Sequence, residues 1–66
     1  MTASQHAVLR ALGDNPATVV TVASRVDGRV SSVYRTLDAL TRRSLVTINP
    51  DGRYQATERG RKKVAG

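Results

Sequence analysis

Apolar residues recur at helical spacing in three successive stretches of the chain, which then gives way to two short strand-like runs. In the first stretch Val8, Leu9 and Leu12, with Ala11 between them, line one helical face. Ahead of them Thr2-x-x-Gln5 has the pattern of a capping box, in which the hydroxyl and the amide side chain satisfy free backbone donors at a helix start. Gly13-Asp14-Asn15-Pro16 ends the element, because proline cannot continue a helix and glycine tolerates the positive φ of a cap. The predicted helix spans about 3–12.

The second stretch, TVVTVASRV over 18–26, pulls two ways. Its β-branched content favours a strand. Its spacing favours a helix, since Val19, Val22, Ala23 and Val26 fall at i, i+3, i+4 and i+7. The period is the stronger signal, and it predicts a helix over about 19–26. Asp27-Gly28 then makes a tight turn into a third helix, about 30–43, whose stripe is Val33, Leu37 and Leu40. At 100° per residue, Ser31, Arg35 and Arg42 lie opposite that stripe, with Ser32 and Asp38 flanking them.

The period changes after this helix. Leu45–Ile48 and Arg53–Ala56 read as strands, with Asn49-Pro50-Asp51-Gly52 as the turn between them, so a hairpin is predicted over about 45–56. Thr57 can cap a last helical turn over about 58–64, with Glu58 next to the positive end of its dipole. Gly60 weakens that turn on propensity, and the basic residues around it are expected to fray. Helix, helix, tight turn, helix, hairpin and helical turn is the order of a winged helix-turn-helix. The fold class read from the sequence is α+β, mostly α, with three helices, a two-stranded wing and a short C-terminal helical turn.

Composition narrows the function. Sixty-six residues make a single domain that buries only about 60% of its unfolded surface, and with no cysteine it has no disulfide or thiolate metal site. Extra stability is expected from partner subunits or bound nucleic acid. The start MTASQHAVLRALG lacks the basic and continuous apolar regions of a signal peptide, and the apolar runs are far too short for a bilayer. A soluble protein of the cytoplasm, on the nucleoid when bound to DNA, is expected. Net charge is +6, and it is one-sided. In 1–28, Arg10 and Arg25 cancel Asp14 and Asp27; in 29–66, nine basic residues (Arg29, Arg35, Arg42, Arg43, Arg53, Arg59, Arg61, Lys62, Lys63) face Asp38, Asp51 and Glu58. Such asymmetry fits nucleic-acid binding, although a solvated basic surface gives the same numbers.

From Thr18 to Gly60 the sequence resembles the DNA-binding core of the MarR-type winged-helix regulators, a core shared with PadR-like repressors. The residues that carry the resemblance are Val22-Ala23, Ser31-Ser32-Val33, Arg35, Leu37, Leu40, Ser44-Leu45-Val46 and Ala56-Thr57-Glu58-Arg59-Gly60. Three positions depart from the family pattern. Ser44 stands where glycine is usual, Arg29 where a capping Ser or Asp is usual, and Gly28 where an apolar residue is usual. The resemblance does not extend to the flanking helices with which full-length MarR-type proteins dimerise and enclose a ligand. No small-molecule effector pocket and no cofactor or metal is therefore expected.

The resemblance implies a third helix in the major groove, with Ser31, Ser32, Tyr34 and Arg35 reading bases. Arg35 could fork onto guanine O6 and N7 or meet a phosphate; Tyr34 could touch DNA or pack on the wing. Arg53 is the wing-tip candidate for the minor groove. Arg42 and Arg43 suit either phosphate contact or the negative end of the helix dipole, and Arg59, Arg61, Lys62 and Lys63 suit either phosphate attraction or plain solvation. One such helix covers a short half-site, so a homodimer on double-stranded DNA is expected. The rival is a winged helix used as a protein-interaction module. RNA or single strands come third, because Tyr34 and Tyr54 are the only aromatic residues available for stacking. An enzyme is not expected: His6 is the only histidine and no nucleophile, phosphate loop or metal spacing accompanies it.

Overall fold

In the computed structural model, which describes residues 1–65, each helix starts on a threonine or on bare backbone. Thr2 and Gln5 close the capping box of α1 (Ala3–Leu12), each side chain accepting the other residue's amide at 3.1 Å. The Thr18 hydroxyl accepts the Thr21 amide to start α2 (Val19–Val26), a contact that settles this β-branched segment as helix. α3 (Val30–Arg42) begins at Arg29 with no side-chain cap. Strands β1 (Val46–Ile48) and β2 (Tyr54–Ala56) follow, and Thr57 caps α4 (Glu58–Val64) through the Gly60 amide at 3.0 Å.

The turn between α2 and α3 is a Schellman closure. The Gly28 amide reaches the Ala23 carbonyl at 2.9 Å and the Asp27 amide reaches Ser24 at 3.4 Å. Asp27 supplies the left-handed residue, at φ 53°, and Gly28 does not. The far end of α3 closes in the same way. Leu45 N–H donates to the Leu40 carbonyl and Ser44 N–H to Thr41, both at 3.0 Å, with Ser44 held at φ 61°. Left-handed backbone costs a serine about 1–2 kcal/mol, partly offset by the extra unfolded-state entropy of glycine. Ser44→Gly is accordingly expected to stabilise the fold by about 0.5–1 kcal/mol, read as a raised urea midpoint at unchanged slope. A lowered midpoint would mean that the serine side chain contributes more than the strain it imposes.

The hairpin is antiparallel, pairing Val46 with Ala56, Thr47 with Gln55 and Ile48 with Tyr54. Its connection is Pro50-Asp51-Gly52: the Gly52 amide donates to the Asn49 carbonyl at 2.9 Å, and Gly52 takes φ 85°. Ala17 adds a third, one-residue strand by exchanging both backbone bonds with Tyr54, at 2.9 and 2.8 Å. This bridge ties the α1–α2 connection to the wing.

Leu9, Leu12, Val22, Leu37, Leu40, Leu45 and Val46 fill the core, and no polar side chain among the described residues is buried. Gly60 is also buried, where α4 crosses the α3–β1 junction: a Cβ there would overlap the Leu45 carbonyl oxygen and stand 3.3 Å from a Leu9 methyl. The glycine that lowers the local helix propensity of α4 is what lets the helix dock. The basic segment expected to fray is helical through Val64.

Candidate nucleic-acid interface

α3 is anchored by its inner stripe, Val33 at 4% exposure and Leu37 and Leu40 at 0%, so its outer face is fixed in direction. Ser31, Ser32, Tyr34 and Arg35 are all exposed on its first two turns. The missing cap at Arg29 leaves the first-turn amides of α3 without a side-chain acceptor, at the positive end of the helix dipole. Thr36 and Thr41 do not add free hydroxyls, since each donates back to the carbonyl four residues earlier, at 3.0 and 2.8 Å.

Tyr34 lies on the flank of α3 that faces the wing. Burial pushes the Tyr54 hydroxyl above its ordinary value, and the neighbouring Tyr34 and Asp38 push it the same way. Tyr54 is buried and Tyr34 half exposed at 54%.

The cations divide into two groups. Arg42 pairs with Asp38 at 3.0 Å, Arg53 with Asp51 at 3.8 Å and Lys62 with Glu58 at 3.7 Å, all at exposed positions where such pairs add little stability and open readily. Asp51 also accepts the Arg53 amide at 3.0 Å, which holds the wing turn. Arg35, Arg59, Arg61 and Lys63 form no ion pair among the described residues.

Five candidates, Arg43 and the four cations of α4, lie away from the outer face of α3. Arg43 turns back toward α1, its guanidinium 3.4 Å from Gln5 Oε1. The α4 cations belong to a helix that packs mainly on α1 and β2. That helix starts where the Thr57 hydroxyl meets the Ser44 carbonyl at 2.8 Å, at the end of α3 opposite Ser31. The structure thus exposes Ser31, Ser32, Tyr34 and Arg35 on the first two turns of α3, with Ser32 at the edge of the cleft toward α1, aligns Arg42 with Arg35, and sets Arg43, Arg59, Arg61, Lys62 and Lys63 apart.

Sequence reading passed over three groups. Arg25 donates to the Ala11 carbonyl at 2.9 Å and so caps α1 from α2. Val30 stands near the inner stripe on a helical wheel, yet it is 45% exposed in the first turn of α3. Ile48 is 51% exposed on the hairpin. A half-open apolar cleft of about 220 Å³ also lies between α1, the Gly28 turn and α3, lined among others by Ala7, Val8, Val26 and Val33. This is below the roughly 300 Å³ at which small-molecule pockets begin. No group of His, Asp and Glu among the described residues could hold a metal ion, and no helix is long and apolar enough to cross a membrane.

The same architecture recurs in solved structures. The MarR family transcriptional regulator SPO1453 of Silicibacter pomeroyi DSS-3 superposes with a TM-score of 0.88 at 26% identity, over 97% of this chain and 48% of its own. BpsR of Bordetella bronchiseptica, whose DNA binding is regulated by 6-hydroxynicotinic acid, gives 0.88 at 25% identity, over 97% and 50%. The chain therefore spans about half the length of these regulators. A candidate DNA-binding protein of Ralstonia eutropha JMP134 gives 0.73 at 24% identity, over 97% of this chain and 93% of its own. No curated protein sequence matches. The molecule is a winged helix-turn-helix domain of the kind seen in MarR-family regulators. Residues 1–65 match the HVO_A0261 N-terminal domain, and the chain belongs to that family.

Proposed function

We propose that the chain is a sequence-specific double-stranded DNA-binding module of a transcriptional regulator, with α3 in the major groove and the hairpin directed to the minor groove. The observation that carries this reading is the outer face of α3, where small hydroxyls and Arg35, with no ion pair among the described residues, stand exposed on a helix locked from behind. The excess positive charge of residues 29–66 and the likeness to the two regulators support it.

In this mechanism Ser31, Ser32, Tyr34 and Arg35 meet base edges, and Arg35 reads guanine through a two-bond fork. Arg42 and Arg53 exchange their acidic partners for phosphate or groove contacts. Arg43 and the α4 cations add attraction without sequence content. Because one α3 spans a half-site, two copies bind together at adjacent half-sites. The work is done by binding alone, in the cytoplasm, and no residue takes part in catalysis.

Selection from a randomised duplex pool tests this. The expected result is one enriched half-site motif, repeated at a spacing near one helical turn. A pool that stays random while a protein partner is retained would assign the fold to protein interaction.

A further inference from the structure

We propose that Val30 and Tyr34 read the 5-methyl group of thymine, which makes this domain discriminate thymine from uracil at fixed positions of its site. The inference rests on the duplex-binding function proposed above.

Five large apolar side chains are exposed among the described residues, and two of them, Val30 at 45% and Tyr34 at 54%, stand one turn apart at the start of α3. Neither is needed by the core, where Val33, Leu37 and Leu40 already close the inner face at 4% exposure or less. A third, Ile48, is paired across the hairpin with Tyr54 and so shares its face. Val30 and Tyr34 thus form an exposed apolar strip along the start of α3, with Ile48 exposed on the wing.

Charge decides what fits such a strip. Ser31 and Arg35 lie beside it on α3, while Arg42, paired with Asp38, stands at the far end of α3 and Arg53, paired with Asp51, in the wing turn. A second copy of a +6 chain would bring like charges together there, and an ordinary apolar partner would strand the arginines. The occupant that suits both features is apolar at its centre and anionic at its rims. The major groove of DNA matches that description only where thymine methyls line its floor between the phosphate ridges.

The test uses the duplex enriched by the wild-type protein, with each thymine replaced singly by deoxyuridine. Every hydrogen-bonding edge is kept and one methyl is lost. Wild-type protein is expected to bind about fourfold more weakly at one or two positions, the effect of one buried methyl. Val30→Ser should abolish the penalty at one of them and Tyr34→Ser at the other. Both side chains are exposed, so the variants should keep the wild-type melting temperature. The inference is overturned if deoxyuridine is neutral at every position, or if Val30→Ser keeps the full penalty. Discrimination unchanged in both variants, together with an altered mass in solution, would assign the strip to a protein contact and also overturn it. An enriched site whose thymines are all neutral to the replacement defeats this inference alone, whereas binding without any enriched sequence, or no duplex binding, defeats the proposed function with it.

Discussion

Gly60→Ala is expected to destabilise the domain by about 3 kcal/mol, at the upper end of what overpacking costs. Local propensity predicts the opposite sign, since alanine inside a helix is worth about 1 kcal/mol more than glycine. Tertiary geometry decides the sign. The added Cβ would overlap the Leu45 carbonyl oxygen and lie 3.0 Å from its carbonyl carbon. That carbonyl cannot give way, because it accepts the Thr57 amide at 3.0 Å while the Leu45 amide is committed to Leu40 at 3.0 Å. Relief requires α4 to lift off α1, exposing Val64 and the Leu9 side of the core. For a chain of this size, total stability is of the order of 3–10 kcal/mol, so the variant should lose about a third of it or more. Urea denaturation followed by circular dichroism measures this. An equal or raised midpoint would show that α4 does not dock as described. Gly52→Ala is the informative contrast, since nothing lies within 4 Å of its Cβ and only the positive φ is strained. It should cost about 1 kcal/mol.

Arg35→Ala carries the second large effect. Its guanidinium is exposed and unpaired among the described residues, so its removal should leave the melting temperature unchanged. If it forks onto a guanine, the loss is roughly 1–3 kcal/mol of discrimination at one base pair, about 5- to 150-fold. Affinity for unrelated duplex should fall far less. Replacing Lys62 and Lys63 with alanine makes the complementary change, weakening all sequences alike and reducing the salt slope by about 1.8. Parallel titrations against the enriched duplex and a scrambled one separate the two. Preserved sequence preference in Arg35→Ala would remove Arg35 from the reading residues.

Much of the fold was legible because its signals are local. The capping box at Thr2 and Gln5, the i, i+3, i+4, i+7 spacing of α2 and the turn at Asp51-Gly52 each depend on residues within a turn or two of one another. The left-handed strain at Ser44 was legible for another reason: it stands where the resembling family has glycine. What escaped reading depends on distant partners. Gly60 looked like a weak point because propensity ignores Leu45, fifteen positions earlier in the chain. The Ala17–Tyr54 bridge involves a single residue on one side and leaves no periodic pattern. Asp27, and not the adjacent Gly28, takes the positive φ of the turn; a methyl on Gly28 would instead press on Val26 and Val33, at 3.3 and 3.4 Å. For the candidate site, the wheel set Ser31 and Arg35 outward. It had no means of showing that Arg43 folds back on Gln5, or that α4 starts from the opposite end of α3.

The central claim, that this basic winged helix binds double-stranded DNA, is tested most directly by fluorescence anisotropy of a labelled duplex titrated at several salt concentrations, with single-stranded DNA and RNA of the same sequence alongside. The account predicts saturable duplex binding whose affinity falls linearly in log salt, with a slope of about −4 to −5 from roughly five phosphates neutralised. Single strands and RNA should bind more weakly at every salt concentration. No saturable duplex binding at low salt, or a preference for the single strand or RNA, would contradict it.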